Sequence, residues 1–334
     1  MQSMKETLRR LVETFGPSGH EQKVRALILQ EIAGLVDEVR SDALGNLIAL
    51  KRGDGSGSRV MLAAHMDEIG VMVSYIDEKG FVRVQPVGGV SPLLEVGGRV
   101  LFDNGTVGVI SYEKLTGGEQ VPGMDKLFLD VGATGRASCP VKLGDTACFL
   151  QPMVEVGGHW TAKAMDDRVG CAVLIETLRA LPRTPHDCYF VFSAQEEVGA
   201  RGATTAAFGI APEVGLAVDV TLCGDTPEPA VRMAISLDAG PAIKVKDGGM
   251  LATLWVKEWM MDTAQAEGIP YQLEVLPGGS TDARAMQTSR EGVPSGCLSI
   301  PCRYVHSPSE TVSATDLANA IKLLVAMLSR PLPR

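Results

Sequence analysis

The chain has 334 residues, 45% of them hydrophobic and 21% charged, with a formal net charge of −9. That length supports one large domain or two ordinary ones around a substantial core. The acidic balance argues against a nucleic-acid footprint, which needs clustered basic residues, and no apolar run approaches the ~20 residues of a membrane helix. The start, Met1-Gln2-Ser3-Met4-Lys5-Glu6, carries no apolar signal core. Seven cysteines form no CxxC pair. Their odd number and apolar neighbours argue against a zinc ribbon and point to reduced core thiols in a cytoplasmic protein.

In chain order, Leu8, Leu11, Val12 and Phe15 recur at helical spacing over 4–15, and Gly16-Pro17 ends that helix. Ser18-Gly19-His20-Glu21 reads as a capping box opening a second helix, with His20 structural. Strands follow at 38–41 and 46–51. Arg59 to Ala64 is then an apolar, buried-strand run ending in His65-Met66-Asp67-Glu68. Positions i and i+2 of a strand share a face, so Asp67 is placed to orient His65, as carboxylates do around metal-bound histidine.

From about 70 to 160 the helical pattern stops. Short apolar runs at 71–75, 81–84, 99–102, 107–111, 127–131 and 146–150 are punctuated by glycine pairs, and Asp103-Asn104-Gly105 reads as a hairpin turn. This predicts a small all-β module inserted between the two halves of an α/β domain, 1–69 and 161–334. Beyond it, Asp166-Asp167-Arg168 leads into an apolar helix; one Asp there is an ordinary cap, but two followed by Arg exceed what a cap needs. The apolar run 188–192 ends in Ser193-Ala194-Gln195-Glu196-Glu197-Val198-Gly199, and Asp219 lies inside the apolar run Gly215–Thr221. Strands at 242–246, 272–276 and 297–300, a helix at 253–266 and a closing helix at 314–328 complete the alternation. The loop 277–283, glycine-rich and leading into a helix, reads equally as an anion-binding turn or as a plain capped one. His306 stands on a loop after the strand at 297–300.

Carboxylates at strand ends cannot be buried unpaired without large cost, and sites in open α/β sheets assemble at the carboxyl edge. His65, Asp166, Glu197, Asp219 and His306 come from five separate element ends. Two histidines and three carboxylates exceed one catalytic zinc, which takes three protein ligands. They suit two divalent metals sharing one carboxylate; two metals about 3.5–4 Å apart polarise a carbonyl and lower the pKa of bound water. Zinc, cobalt and manganese all fit such donors. The chemistry also needs a general base, and Glu196, beside Glu197, is the natural choice.

The motifs Ala64-His65-Met66-Asp67-Glu68, Ala164-Met165-Asp166-Asp167-Arg168, Gln195-Glu196-Glu197-Val198-Gly199, Val218-Asp219-Val220 and Tyr304-Val305-His306-Ser307-Pro308 resemble those of the tetrahedral (TET) aminopeptidases. That family includes glutamyl aminopeptidases, and some members carry the name endoglucanase. The resemblance implies a mixed, mostly parallel sheet flanked by helices, with a β-barrel-like dimerisation insert at 70–160. It also implies a homo-oligomer, a hollow tetrahedral dodecamer, acting on the N-termini of short peptides. By motif, Asp166 rather than Asp167 would bridge two metals, with His65 and Asp219 on one and Glu197 and His306 on the other. Glu196 would be the base and Asp67 the orienter of His65. A metallo-deacylase or carboxypeptidase-like hydrolase is the alternative, although Arg168-Val169 stands where such enzymes usually have Lys-Gly. A glycoside hydrolase needs two carboxyls facing across about 5–9.5 Å, and leaves both histidines unexplained.

Overall fold

The computed structural model describes residues 2–333. The strands are β1 (Glu38–Ser41), β2 (Leu47–Lys51), β3 (Arg59–His65), β4 (Gly70–Ile76), β5 (Val82–Val87), β6 (Arg99–Phe102), β7 (Val107–Tyr112), β8 (Leu127–Asp130), β9 (Thr146–Phe149), β10 (Val154–Val156), β11 (His159–Ala162), β12 (Asp187–Ser193), β13 (Val214–Leu222), β14 (Ala242–Lys246), β15 (Gln272–Val275), β16 (Ser295–Arg303) and β17 (Glu310–Val312). The helices are α1 (Gln2–Glu13), α2 (Gln22–Glu31), α3 (Pro92–Glu95), α4 (Met165–Ala180), α5 (Arg201–Ile210), α6 (Leu254–Ala266), α7 (Asp282–Gln287) and α8 (Ala314–Leu328).

One large sheet runs β1-β2-β12-β3-β13-β16-β17-β11-β10, with β14 and β15 attached beside β16. Its centre, β12-β3-β13-β16, is parallel, and both margins are antiparallel. The central strands are continuous apolar runs because helices cover both faces. β3 is buried from Val60 to His65 and β13 from Val214 to Thr221. α1, α4 and α8 pack around one core with Phe190, Leu62, Leu216 and Leu298, and Ala206, Ala283 and Met286 close the other face.

The inserted module is a closed six-strand barrel, β4-β5-β8-β7-β6-β9. Its strands alternate, as sheets with one dry face do. Val71, Val73, Val82, Val84, Val100, Ile110 and Leu129 fill the interior. Gly105 takes φ +87° in the β6–β7 hairpin, where the Asp103-Asn104-Gly105 turn was expected. The barrel strands end at Phe149. β10 and β11 pair with each other and, through β17, with the large sheet, so 154–160 lies against the large-sheet half although the sequence groups it with the insert.

The Ser18–Glu21 capping box does not form. Glu21 is the N-cap of α2 without a side-chain bond. Ser18 Oγ instead donates to Asp67 Oδ2 at 2.6 Å, and Glu21 Oε1 accepts from the amides of Gly19 (2.7 Å) and Gln195 (3.1 Å). Tertiary partners outcompete the local cap because the carboxylate of Asp67 is fully buried and strongly attracts donors. His20 is structural, its Nε2 3.1 Å from Thr146 Oγ1 on the barrel. The seven cysteines are unpaired, and all but Cys139 are buried.

Candidate metal centre

The parallel strands bring the predicted residues to one level. His65 ends β3 and pairs in register with Ser193, the last residue of β12. Asp219 lies two residues past Ala217, which pairs with Ala63, so it stands level with His65. Glu196 and Glu197 leave the end of β12. Asp166 opens the lead into α4, and His306 sits between β16 and β17. All five predicted ligands and the predicted base line one cavity of about 430 Å³ at the carboxyl edge of the sheet.

Asp166 lies between the two histidines. Its Oδ1 is 2.9 Å from His65 Nε2 and its Oδ2 3.4 Å from His306 Nε2. His306 Nε2 is also 3.2 Å from Glu197 Oε2, and His65 Nε2 is 4.0 Å from both Glu196 Oε2 and Asp219 Oδ1. Each ring is fixed through its other nitrogen. His65 Nδ1 is 3.0 Å from the Asp67 carbonyl oxygen, and His306 Nδ1 is 3.1 Å from that of Gly89. Carbonyls only accept, so both Nδ1 atoms carry a proton and both Nε2 atoms face the carboxylates. Gly89 permits this approach, since a Cβ there would stand 2.5 Å from His306 Nδ1.

Asp167 differs. It is fully buried, and its oxygens accept from the amides of His65 (3.2 Å) and Gly170 (3.0 Å). The Asp166–Asp167 peptide is cis. Among the described residues, two groups offer donor atoms all within 4.8 Å of one another: His65, Asp166 and Glu197, and His65, Asp167 and Asp219.

The electrostatics call for added positive charge. Burial pushes Glu196 and Asp219 well above the usual carboxylate range, with neighbouring carboxylates adding to it, and raises Glu197 in the same way. Burial pulls His306 down, yet hydrogen bonds to Asp166 and Glu197 outweigh it and push it up to about 12. Glu197 Oε1 is buried without a partner. So many buried carboxylates cannot all ionise around two imidazoles, whereas hard divalent cations would neutralise them. The donor set of imidazole nitrogens and carboxylate oxygens therefore fits such ions.

A second layer fixes these groups. Asp67 takes the amides of Glu196 (2.9 Å, Oδ1) and Glu197 (3.1 Å, Oδ2), with its Oδ1 3.5 Å from His65 Nδ1. It thus holds the Glu-Glu turn as well as the histidine, and it reaches the ring mainly through its backbone carbonyl. Glu310, which sequence reasoning gave no role, accepts from the amides of Asp166 (2.9 Å) and His306 (2.7 Å). Glu68, likewise unassigned, lies between Lys163 Nζ (2.6 Å) and Arg168 Nη2 (3.3 Å). The signal available for both was an acid within a stretch otherwise built for burial. Arg168 is structural: its guanidinium also donates to the carbonyls of Leu11, Thr14 and Gly16, tying α1 to the site. The 277–283 loop is a capped turn, with Thr281 accepting from the amide of Ala283, and it walls the cavity. Gln195, Tyr304 and His306 all adopt left-handed φ near +60°, strain of the kind that concentrates where a site demands it.

The family model for M42 glutamyl aminopeptidases matches residues 45–323. A protein of Acetivibrio thermocellus named as an aminopeptidase is 46% identical over 97% of this chain and 98% of its own length. An aminopeptidase from the archaeon Desulfurococcus kamchatkensis superposes with a TM-score of 0.94 at 38% identity, over 99% of this chain and 96% of that one. The Pyrococcus horikoshii TET1 peptidase, described as assembling into a tetrahedron or a large octahedral shell, superposes with a TM-score of 0.88 at 31% identity, over 97% and 99%. The chain belongs to the M42 glutamyl aminopeptidase family and is an aminopeptidase, a hydrolase of peptide bonds.

Proposed function

We propose that the chain removes N-terminal residues from short peptides with two divalent ions, zinc first among them. Asp166 would be the shared ligand, His65 and Asp219 would hold one ion, and Glu197 and His306 would hold the other. The observation that carries this reading is the position of Asp166, with one oxygen toward each histidine. When bound, the ions supply Lewis acidity toward the scissile carbonyl and the attacking water.

The remaining chemistry belongs to the chain. Glu196 reaches into the cavity with Oε2 4.0 Å from His65 Nε2. It accepts a proton from the attacking water and delivers it to the leaving amine nitrogen. Asp67 is a positioning residue: it holds the amides of both glutamates, so base and ligand keep their spacing. Glu310 does the same for Asp166 and His306.

The barrel exposes Met72, Tyr75, Val107, Val109 and Tyr112, apolar area that suits a partner subunit. With the shell-forming TET1 relative, this supports a homo-oligomer in which the insert, 70–160, joins dimers and the dimers build a dodecamer. Unpaired cysteines suit a reducing, cytoplasmic setting; among the described residues, no helix is long and apolar enough to cross a membrane.

The test is hydrolysis of aminoacyl-p-nitroanilides, free and N-acetylated, by chelator-treated enzyme with and without zinc or cobalt. Metal-restored cleavage of the free-amine substrates alone is expected. Cleavage of blocked substrates would favour a deacylase instead.

A further inference from the structure

The cavity that holds the candidate ligands is also lined by Leu222, Val231, Leu276 and Val305. Among the residues lining it, Lys244 is the sole lysine or arginine, and it is the natural candidate to receive an acidic side chain. Its charge is already engaged. Lys244 is 1% exposed, and its Nζ is 2.8 Å from Glu274 Oε1 and 3.5 Å from Asp247 Oδ2. Glu274 is itself fully buried and also accepts from Thr221 Oγ1 at 2.8 Å. Asp247 is committed through Oδ1 to the amides of Gly249 and Met250.

The consequence is electrostatic. A substrate glutamate entering this pocket would be a third carboxylate around one ammonium, in a place where desolvation magnifies repulsion. A substrate lysine fares no better, because Lys244 already occupies the position between the two carboxylates that a second ammonium would need. What remains for a side chain is the apolar wall, with the uncharged hydroxyls of Ser280 and Thr281 beside it.

We propose that this pocket receives the side chain of the N-terminal residue and selects uncharged, leucine- or methionine-sized groups, with Glu274 as the specificity determinant that cancels Lys244. The family model bears the word glutamyl, whereas this chain's own pocket is built against acidic side chains. The inference rests on the aminopeptidase centre proposed above.

The experiment compares kcat/KM for leucyl-, methionyl-, glutamyl- and lysyl-p-nitroanilide on the metal-loaded enzyme. The wild type is expected to favour leucyl and methionyl over both charged substrates by at least about tenfold. Glu274→Gln should raise the glutamyl-to-leucyl ratio by about tenfold, since Lys244 is then balanced by Asp247 alone and an incoming glutamate is the second carboxylate rather than the third. A purely structural role for Glu274 would lower all four substrates together and leave the ratio unchanged, which would overturn the assignment. The wild-type panel decides even where the variant folds poorly: glutamyl or lysyl as the best substrate refutes the pocket while leaving the aminopeptidase reading intact. No hydrolysis of any free-amine substrate would overturn both.

Discussion

Asp67→Asn tests the organisation of the site more sharply than removal of any ligand. Asp67 is fully buried and accepts from Ser18 Oγ at 2.6 Å and from the amides of Glu196 and Glu197 at 2.9 and 3.1 Å, with His65 Nδ1 at 3.5 Å. Asparagine keeps the shape but turns one acceptor into a donor. In its better orientation the new NH₂ faces Ser18, whose hydroxyl can rotate to accept, and the amide of Glu197, which cannot. One charge-assisted bond worth about 1.5–3 kcal/mol is lost and the others weaken, so destabilisation of about 3 kcal/mol is expected. Unfolding entropy near 2.1 cal/mol/K per residue gives about 0.7 kcal/mol/K for a chain of this length, so the melting temperature should fall by about 4 °C. The freed Glu196–Glu197 turn should cost about 10–100-fold in kcat/KM, the usual effect of losing a group that orients metal ligands. The assay is leucyl-p-nitroanilide hydrolysis beside a thermal melt at fixed zinc. Activity within threefold of wild type, with an unchanged melt, would refute the view that this carboxylate holds the turn.

Four further outcomes follow from the same structure. Glu196→Gln should abolish turnover yet retain the metal measured by elemental analysis, and retained activity would remove Glu196 as the base. Glu310→Gln sets an NH₂ against the amide of Asp166 or of His306 and should weaken metal affinity by about 10–100-fold in a chelator competition; unchanged affinity would make Glu310 a spectator. Arg168→Met removes the guanidinium's bonds to the carbonyls of Leu11, Thr14 and Gly16 and leaves Glu68 with Lys163 as its one cationic partner. It should destabilise by about 3–5 kcal/mol and expose α1 to proteolysis, so a wild-type digestion pattern would contradict the clamp. Glu95, in the barrel, is buried with neither carboxyl oxygen partnered, and burial pushes it up to about 8. The folded state therefore keeps a proton that the unfolded chain releases from about pH 4.5 upward. Stability should fall as pH rises through that window and level off above about 8, by up to about 5 kcal/mol. In urea melts at pH 5.5 and 8.5, Glu95→Gln should show less of this loss, and equal losses in both proteins would refute it.

The candidate ligands were legible because a carboxylate or imidazole at the end of an apolar run has few bland explanations. His65 after Arg59–Ala64, Asp219 within Gly215–Thr221 and the Glu196-Glu197 pair after Cys188–Phe192 each announced themselves that way. Ser18 and Glu21 misled for the opposite reason. Their spacing satisfies a local capping pattern, and only the buried carboxylate of Asp67 and the amide of Gln195, distant in sequence, draw them elsewhere. Glu310 and Glu68 were silent because their partners are backbone amides and basic side chains brought up from other segments.

The sequence by itself determined the α/β class and the β-rich insert and singled out the six candidate site residues, since periodicity, apolar runs and residue type are local properties. The tertiary structure alone decided that Asp166 sends one oxygen toward each histidine, that Arg168 is a clamp, and that Lys244 is paired with Glu274 and Asp247. Each of these depends on which distant group lies within about 3 Å, the distance over which hydrogen bonds and ion pairs act. Spacing along the chain carries no record of that distance once the sheet has brought separate strands together.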